Sequence, residues 1–521
     1  MSPLLDQYGK PFKAAEYNRL TVNLPSIRRP SAEELAHGTL RTIRARSRYI
    51  ARNHAHANGA IRHIARRVCG AGLRIQGRIR GEGRYLRDEN WALEYLWEQR
   101  CRYGLTTNGL RGVRFWLLCV LHYLIDGEVF LVKSENRARP GITSEWQIVT
   151  GDMLTDSCDA PSLKGVAPGN IVELGIEMTP EGRVVAYHFT EETKGSGGLG
   201  TVQTVRVDAY RVIHWANLEY SDAPRGLPIL TPVVLNLADL AEFFSAVLTQ
   251  AWAQASIVAF IKTAMAAERQ ETRGRIGVRP GADEAPTGQP QRWRQAMTPG
   301  TMEFLLPDEE MQFADPKAPS GTIDPFTQVL LRAIAAGIGI SYETLARDYT
   351  RTNYSSGRQT ENEDKLTFQE LNLLMDQEIV YPVWADHVDH VYTINRLRQI
   401  PAGIGAEGQG AEGIYAHVVQ HPVKDHADPV KDVTADVMEL EARIASPQEV
   451  CAKRGKDFFE VVDEIAEAEA YMRERGVTSA QVAEALAKQA GQDGQSKPSQ
   501  ARRLAEVLSV ADPDMGVAAH G

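Results

Sequence analysis

The segment from Leu230 to about Ala267 limits this chain more than any other. From Phe243 to Ile261 it carries no charged residue for 19 positions. By length alone such a run could cross a bilayer. Its content argues against that. Ser245, Thr249, Gln250, Gln254 and Ser256 lie within it, five alanines dilute it, and neither a Lys/Arg asymmetry nor an aromatic belt frames it. The expectation is a long helix covered on several sides by other helices. Leu237, Leu240, Phe244, Val247, Ala251 and Val258 recur at helical spacing and are assigned to its packing faces.

A second helical pattern follows. Asp324 is a suitable N-cap and Pro325 a suitable first helical residue. Phe326, Val329, Leu330, Ala333 and Ile334 then recur at helical spacing until Gly337 and Gly339. A short turn, Ser341 to Leu345, leads into a polar loop, Asp348 to Gly357, with almost nothing apolar to bury. Its polar residues are Asn353, Tyr354, Ser355 and Ser356, and its cations with their flanks are Arg347, Arg351 and Arg358. Leu371, Leu374, Met375 and Ile379 mark one face of another helix, expected to end or kink at Pro382. Read alone, this is a helical hairpin with a solvated loop.

The N-terminal half reads differently. Residues 1–38 are interrupted by Pro3, Pro11, Pro25 and Pro30, and read as an extended arm without the apolar core of a signal peptide. Helix signals run from Ser31 to about Cys69, and Gly70 and Gly72 stop them. Between Arg41 and Arg87 there are 13 arginines and one acid, Glu82. That pattern fits a solvated face or an intersubunit salt-bridge surface, with direct DNA contact as the sharper alternative. Trp91 to Tyr103 and Gly112 to Leu124 read as helices. Asp126-Gly127 turns into a strand, Glu128 to Lys133, and further strands are expected at Trp146–Val149, Ile171–Ile176, Val184–Phe189 and Val207–Trp215. The fold class is therefore mixed α+β. Glu268 to Thr322 is rich in Arg, Pro, Gly and Gln, with a short helix near Trp293 and a strand at Met302–Leu306. After a Gly-rich spacer, an acidic amphipathic helix is expected from Asp457 to Met472, and weaker helices at Ser479–Lys488 and Gln500–Val510.

Several chemistries find no support. The net charge of −9 is unsuited to a general DNA coat, though not to a chain that surrounds DNA without gripping it. The 5 cysteines form no C-x-x-C pair, which suits a reducing compartment. There is no phosphate-binding loop, no strand-linked GxGxxG, no HExxH and no GxSxG elbow. Histidines cluster at His54, His56 and His63, at His387 and His390 with Asp386 and Asp389, and at His417, His421 and His426, but none completes a four-ligand set. No catalytic residue, cofactor or metal is assigned.

The combination AAGIGISYETLARDYTRTNYSSGR (residues 335–358), the segment RNHAHANGAIRHIARRVCGAGLRIQ (52–76), the strand DGEVFLV, the later VIHW, Asp428-Pro429 and Arg454-Gly455-Lys456-Asp457 together resemble the lambda-type portal proteins of tailed phages. The resemblance runs in order from about Arg41 to Arg475. It implies a non-enzymatic portal subunit with an N-terminal arm (1–38), an α/β wing (39–229), a stem helix (230–267), a clip (268–322) and a second stem helix (323–346). A channel loop (347–357), a long wing helix (358–400), a helical crown-like region (401–510) and a disordered tail (511–521) would follow. It further implies a homo-oligomeric ring, a dodecamer, at one capsid vertex of the virion, assembled in the host bacterial cytoplasm. Double-stranded DNA would pass through it without sequence readout. The implied partners are the terminase large subunit, the head-tail connector, the major capsid protein and the scaffold. A DNA-packaging or capsid-maturation enzyme, or a membrane-inserted channel built on residues 243–261, are the competing readings.

Overall fold

A computed structural model describes residues 39–70, 72–81, 84–135, 144–156, 163–193, 201–221, 223–256, 259–263, 309–313, 323–350, 352–393, 413–421 and 429–474. The arm, most of the 268–322 excursion with its expected helix and strand, the Gly-rich spacer, the helices expected beyond residue 478 and the tail lie outside them. The described chain opens with α1 (Thr39–Asn53) and α2 (Ala55–Cys69). The helical ladder continues across His54, whose N–H donates to Ile50 O at 2.9 Å and whose carbonyl accepts from Asn58 N–H at 2.9 Å. There follow β1 (Arg74–Gly77), a two-residue ladder of β2 (Arg80–Gly81) and β3 (Arg84–Tyr85), and α3 (Arg87–Tyr103). Asp88 and Glu89 suit the first turn of α3, which begins before the expected Trp91. α4 (Gly112–Asp126) ends on Gly127 at φ 83°, a left-handed cap, and β4 (Glu128–Glu135) and β5 (Ser144–Thr150) follow.

Two expected strands are each divided. Ile171–Ile176 is a hairpin, β6 (Ile171–Glu173) and β7 (Ile176–Met178), because Leu174 and Gly175 both turn to positive φ, 49° and 82°. Beyond β8 (Val184–Thr193), the expected strand at Val207–Trp215 is β9 (Thr201–Asp208), a single 3₁₀ turn (Ala209–Arg211) and β10 (Val212–Ala216). The chain changes sheets at that turn. β9 pairs antiparallel with β8 in the order β6-β7-β8-β9, whereas β10 pairs with β4 in the order β10-β4-β5. Phe130, Val149, Leu154, Ile176, Tyr187 and Phe189 form one buried cluster joining the two sheets.

The charge-free run is not one helix. α5 (Val234–Ser256) stops short of Ile261, and β11 (Ala259–Thr263) pairs antiparallel with β12 (Glu309–Phe313). Next come α6 (Ile323–Ile338) and α7 (Tyr342–Ala346), then α8 (Tyr354–Met375), a π-helical turn (Asp376–Val380) and α9 (Tyr381–Thr393). α6 starts at Ile323, so Asp324 lies in its first turn. Pro382 does not end the helix. The wider π turn just before it relaxes the backbone where proline supplies no N–H. The chain closes with β13 (His417–Gln420), α10 (Pro429–Glu441), α11 (Pro447–Lys453) and α12 (Phe458–Glu474).

The chain divides into two compact units, Met1–Val68 with Glu98–Arg396, and Cys69–Trp97 with Leu397–Gly521. The larger is organised on a buried carboxylate, Glu128. It accepts from Arg44 Nη2 at 2.7 Å, Arg225 Nε at 2.8 Å and Gly226 N at 3.1 Å, and lies 3.3 Å from His214 Nε2. Arg44 also donates to Asp126 O, and Arg225 to Leu174 O and Gly151 O. One carboxylate thus ties α1, β4, β10 and the 225–226 segment together. Its two arginines hold it far below the usual carboxylate range despite burial. A side chain at Gly151 would overlap Glu128 and Arg44, so only glycine fits there.

In the smaller unit β1 pairs antiparallel with β13. Asp457 accepts from Gln76 Nε2 at 2.7 Å and caps α12 through Phe459 N (2.8 Å) and Glu460 N (3.1 Å). Tyr85 stacks on Phe459 at 4.8 Å. Glu94 accepts from Gly77 N at 2.8 Å, and burial beside Asp457 and Glu460 pushes its carboxyl up to about 7.

Candidate nucleic-acid interface

The polar loop is shorter than its composition implies. α7 ends at Arg347, in the left-handed region at φ 54°, and α8 begins at Tyr354. Residues 354–357 are therefore the first helical turn. Asn353 is the N-cap: its Oδ1 accepts from Ser356 N at 2.8 Å, and its own N–H donates to Ser356 Oγ at 3.1 Å. This reciprocal pair is a capping box with Ser in the place usually held by Glu or Gln, which explains why it escapes a pattern search.

The remaining loop is tied inward by short polar contacts. Asp348 Oδ1 accepts from Thr350 N (3.1 Å) and Thr350 Oγ1 (2.6 Å), while Oδ2 accepts from Tyr342 Oη at 3.2 Å. Thr352 N donates to Tyr349 O at 3.2 Å. On the side of α8, Asp364 accepts from Ser341 N (2.7 Å), Ser341 Oγ (2.7 Å) and Thr344 Oγ1 (2.5 Å). Thr367 Oγ1 donates to Gly339 O at 3.0 Å. Arg347, Tyr349, Thr350, Asn353, Ser355, Ser356 and Arg358 are exposed, so cations and hydroxyls face solvent while the carboxylates face inward. Arg351 and the side chain of Tyr354 lie outside the described residues. Exposed cations and hydroxyls are groups that can contact phosphates.

The stem residues fall into three groups. Leu237 and Leu240 are fully buried, and Phe244 and Val247 are half-buried. Ala251 is exposed, and Val258 lies outside the described residues. Phe243 meets Phe326 of α6 at 5.0 Å, and a side chain at Gly337 would overlap buried Val233. The two helices therefore pack closely in the first half of α5, while Leu248 and Trp252 further along are more than half exposed.

Seven arginines of the run form ion pairs within the chain. Arg41 pairs with Asp156, Arg44 with Glu128, Arg48 with Asp126 and Asp152, and Arg67 with Glu361. In the smaller unit Arg74, Arg78 and Arg87 pair with Glu460, Asp457 and Asp463. Arg46, Arg52, Arg62, Arg66 and Arg80 are exposed. The partners of the paired arginines lie far along the sequence, where spacing rules cannot reach. No group of three or more metal-ligating side chains occurs among the described residues. Asp386 is instead engaged by Arg100 Nη2 at 3.0 Å, Ser144 Oγ at 2.9 Å and Lys133.

Mixed helices and antiparallel sheets thus carry a braced polar loop between α7 and α8. The model of the phage portal proteins, lambda family, matches residues 20–371, and the chain belongs to that family. The matched range includes α5, α6 and the loop; the markers at 428–429 and 454–457 lie beyond it. The chain is 28% identical over 158 residues to the portal protein of Escherichia phage N15, and 27% identical over 158 residues to portal protein B of Escherichia phage lambda. Each alignment covers 30% of this chain and 30% of the relative's length. Among solved structures, a chain from the neck of an empty GTA particle, computed with C6 symmetry, has a TM-score of 0.42 at 16% identity, covering 81% of this chain and 93% of that one. A chain from the neck of the native GTA particle, computed with C12 symmetry, has a TM-score of 0.42 at 14% identity, covering 77% and 91%.

Proposed function

We propose that this chain forms a closed ring at one capsid vertex through which double-stranded DNA enters and later leaves. The observation that carries the reading is the family match across residues 20–371, which includes α6, α7, the loop and α8 as far as Leu371. The wing would span 39–229, α5 and α6 would form the stem, and 268–322 the clip that meets the terminase large subunit and then the head-tail connector. The region after 401 would form the crown. Identical subunits in a ring meet through head-to-tail interfaces that close by rotation, here in a dodecamer set among the major capsid protein and scaffold. Residues 347–353 would line the channel. Arg347, Arg351 and Arg358 would touch phosphates, and so few cations per subunit keep the grip low enough for DNA to slide.

Negative-stain microscopy of the purified full-length protein is expected to show rings with a central hole. Monomers alone, at concentrations where capsids assemble, would count against the reading. The membrane alternative rests on Thr231–Trp252, 22 residues with the length and composition of a span. Recovery only from detergent extracts would favour it.

A further inference from the structure

The two ends of the loop are joined by a residue that belongs to neither. Asp364 lies on α8, 11 residues beyond the cap Asn353, or about three helical turns. Its side chain is nevertheless directed to the helix before the loop, where Ser341 N, Ser341 Oγ and Thr344 Oγ1 all donate to it. Ser341 is itself the N-cap of α7, its hydroxyl accepting from Thr344 N at 3.3 Å. Thr367, nearly one turn further along α8, repeats the tie by donating to Gly339 O. Asp364 is only 7% exposed, and every hydrogen bond described for it comes from a neutral donor.

That donor set suits a carboxylate. Both oxygens accept, and neither must donate. Asparagine has the same shape but turns an NH₂ group toward one of the donors and loses the charge-assisted bonds. The brace therefore does something the loop residues cannot. It ties the end of α6 and the start of α7 directly to α8 three turns beyond the loop.

We propose that Asp364 is a positioning residue. It touches no DNA itself, but it sets the stance of the 347–353 loop, and with it the point at which the loop's cations meet the passing duplex. This rests on the reading that the loop lines the channel, and the test separates the two.

The experiment compares the wild-type chain, Asp364→Asn, Asp364→Glu and an Arg347→Ala/Arg358→Ala variant with the brace intact. Two readouts are taken: amide hydrogen exchange of residues 341–353 in the purified rings, and DNA retained per assembled particle. Asp364→Asn is expected to form rings, to exchange Ser341 and the loop amides about tenfold faster, and to retain several-fold less DNA. Asp364→Glu, which keeps the acceptor pair, is expected to recover part of both. Thr344→Val removes a single donor and gives a milder version of the same change, should Asp364→Asn fail to fold.

Unchanged exchange at 341–353 in Asp364→Asn would overturn the brace. Faster exchange with full DNA retention would overturn the positioning role. In that second case the arginine variant decides what else falls. If it also retains DNA fully, the loop does not meet DNA and the channel reading fails with it. If it loses DNA, only the role of Asp364 is lost.

Discussion

Glu128 shows how much of this fold depends on single side chains. Its carboxylate has no exposure, and two arginines with little exposure of their own depend on it. Glu128→Gln keeps the shape but leaves Arg44 and Arg225 facing a neutral amide in the interior. Removing one member of a buried pair costs about 3–5 kcal/mol, and urea unfolding of the variant should show a loss of that order. The same group predicts acid sensitivity. The folded pKa values of Glu128, Asp126 and Asp386 all lie below their ordinary values, held down by Arg44 and Arg225, by His122 and Arg48, and by Arg100 and Lys133 respectively. A depressed carboxylate contributes stability that is complete above its unfolded pKa of about 4 and is lost as pH falls toward the folded value. Thermal melts should therefore be flat from about pH 7 to 5 on account of these groups and fall steeply below about pH 4, less steeply in Glu128→Gln. At this scale the sequence announced the arginines but not their acids. Arg44 and Glu128 are 84 residues apart, and no periodicity links them.

Elements were legible where one face of a helix or strand declares itself, and obscure where a neighbour decides. α3, α4, β4 and α12 lie close to their expected spans because their apolar residues recur at the right period and Gly127 or Asp457 marks a boundary. The break between β9 and β10 follows from the strand's choice of two different sheets, which its apolar pattern does not contain. The end of α5 likewise depends on the pairing of β11 with β12, 46 residues or more away at every rung. The loop is the instructive case. Its polarity was plain, but the last four of its ten presumed residues are helix, because Asn353 and Ser356 satisfy each other's backbone groups. Asn353→Ala should cost about 1 kcal/mol and fray the first turn of α8, read as faster exchange at Tyr354–Gly357. A loss of DNA retention in that variant would then report the cap as well as any contact, so variants that test phosphate contact should leave Asn353 in place.

On the scale of the whole molecule, the open question is what covers α5. Its first turns bury Leu237 and Leu240 completely within the chain. Its later turns do not: Leu248 is 54% and Trp252 69% exposed. Within the charge-free run Phe243, Phe244 and Val247 are half-buried, while Leu248 and Trp252, like Leu235 in the first turn, are exposed. A sequence cannot say whether the cover comes from lipid, from the same chain or from another copy. Asp239 and Glu242 sit on the helix ahead of the exposed apolar residues, and a ring of helices side by side accommodates both features: the acids at the polar end, Leu248 and Trp252 against a neighbour. The two ends of α5 should then respond differently to charge. Leu240→Asp places a carboxylate in the interior of its own chain and should cost several kcal/mol, abolishing the cooperative unfolding transition or lowering its midpoint sharply. Leu248→Glu with Trp252→Glu should cost the isolated subunit far less than Leu240→Asp, since both side chains are more than half exposed there. The same double variant should fail to form rings on size-exclusion chromatography, because two charges per subunit would be buried at every interface around the closed assembly. Normal rings from the double variant would place the ring contacts elsewhere. Loss of ring formation together with loss of the folded subunit would show that these turns are covered by the chain itself.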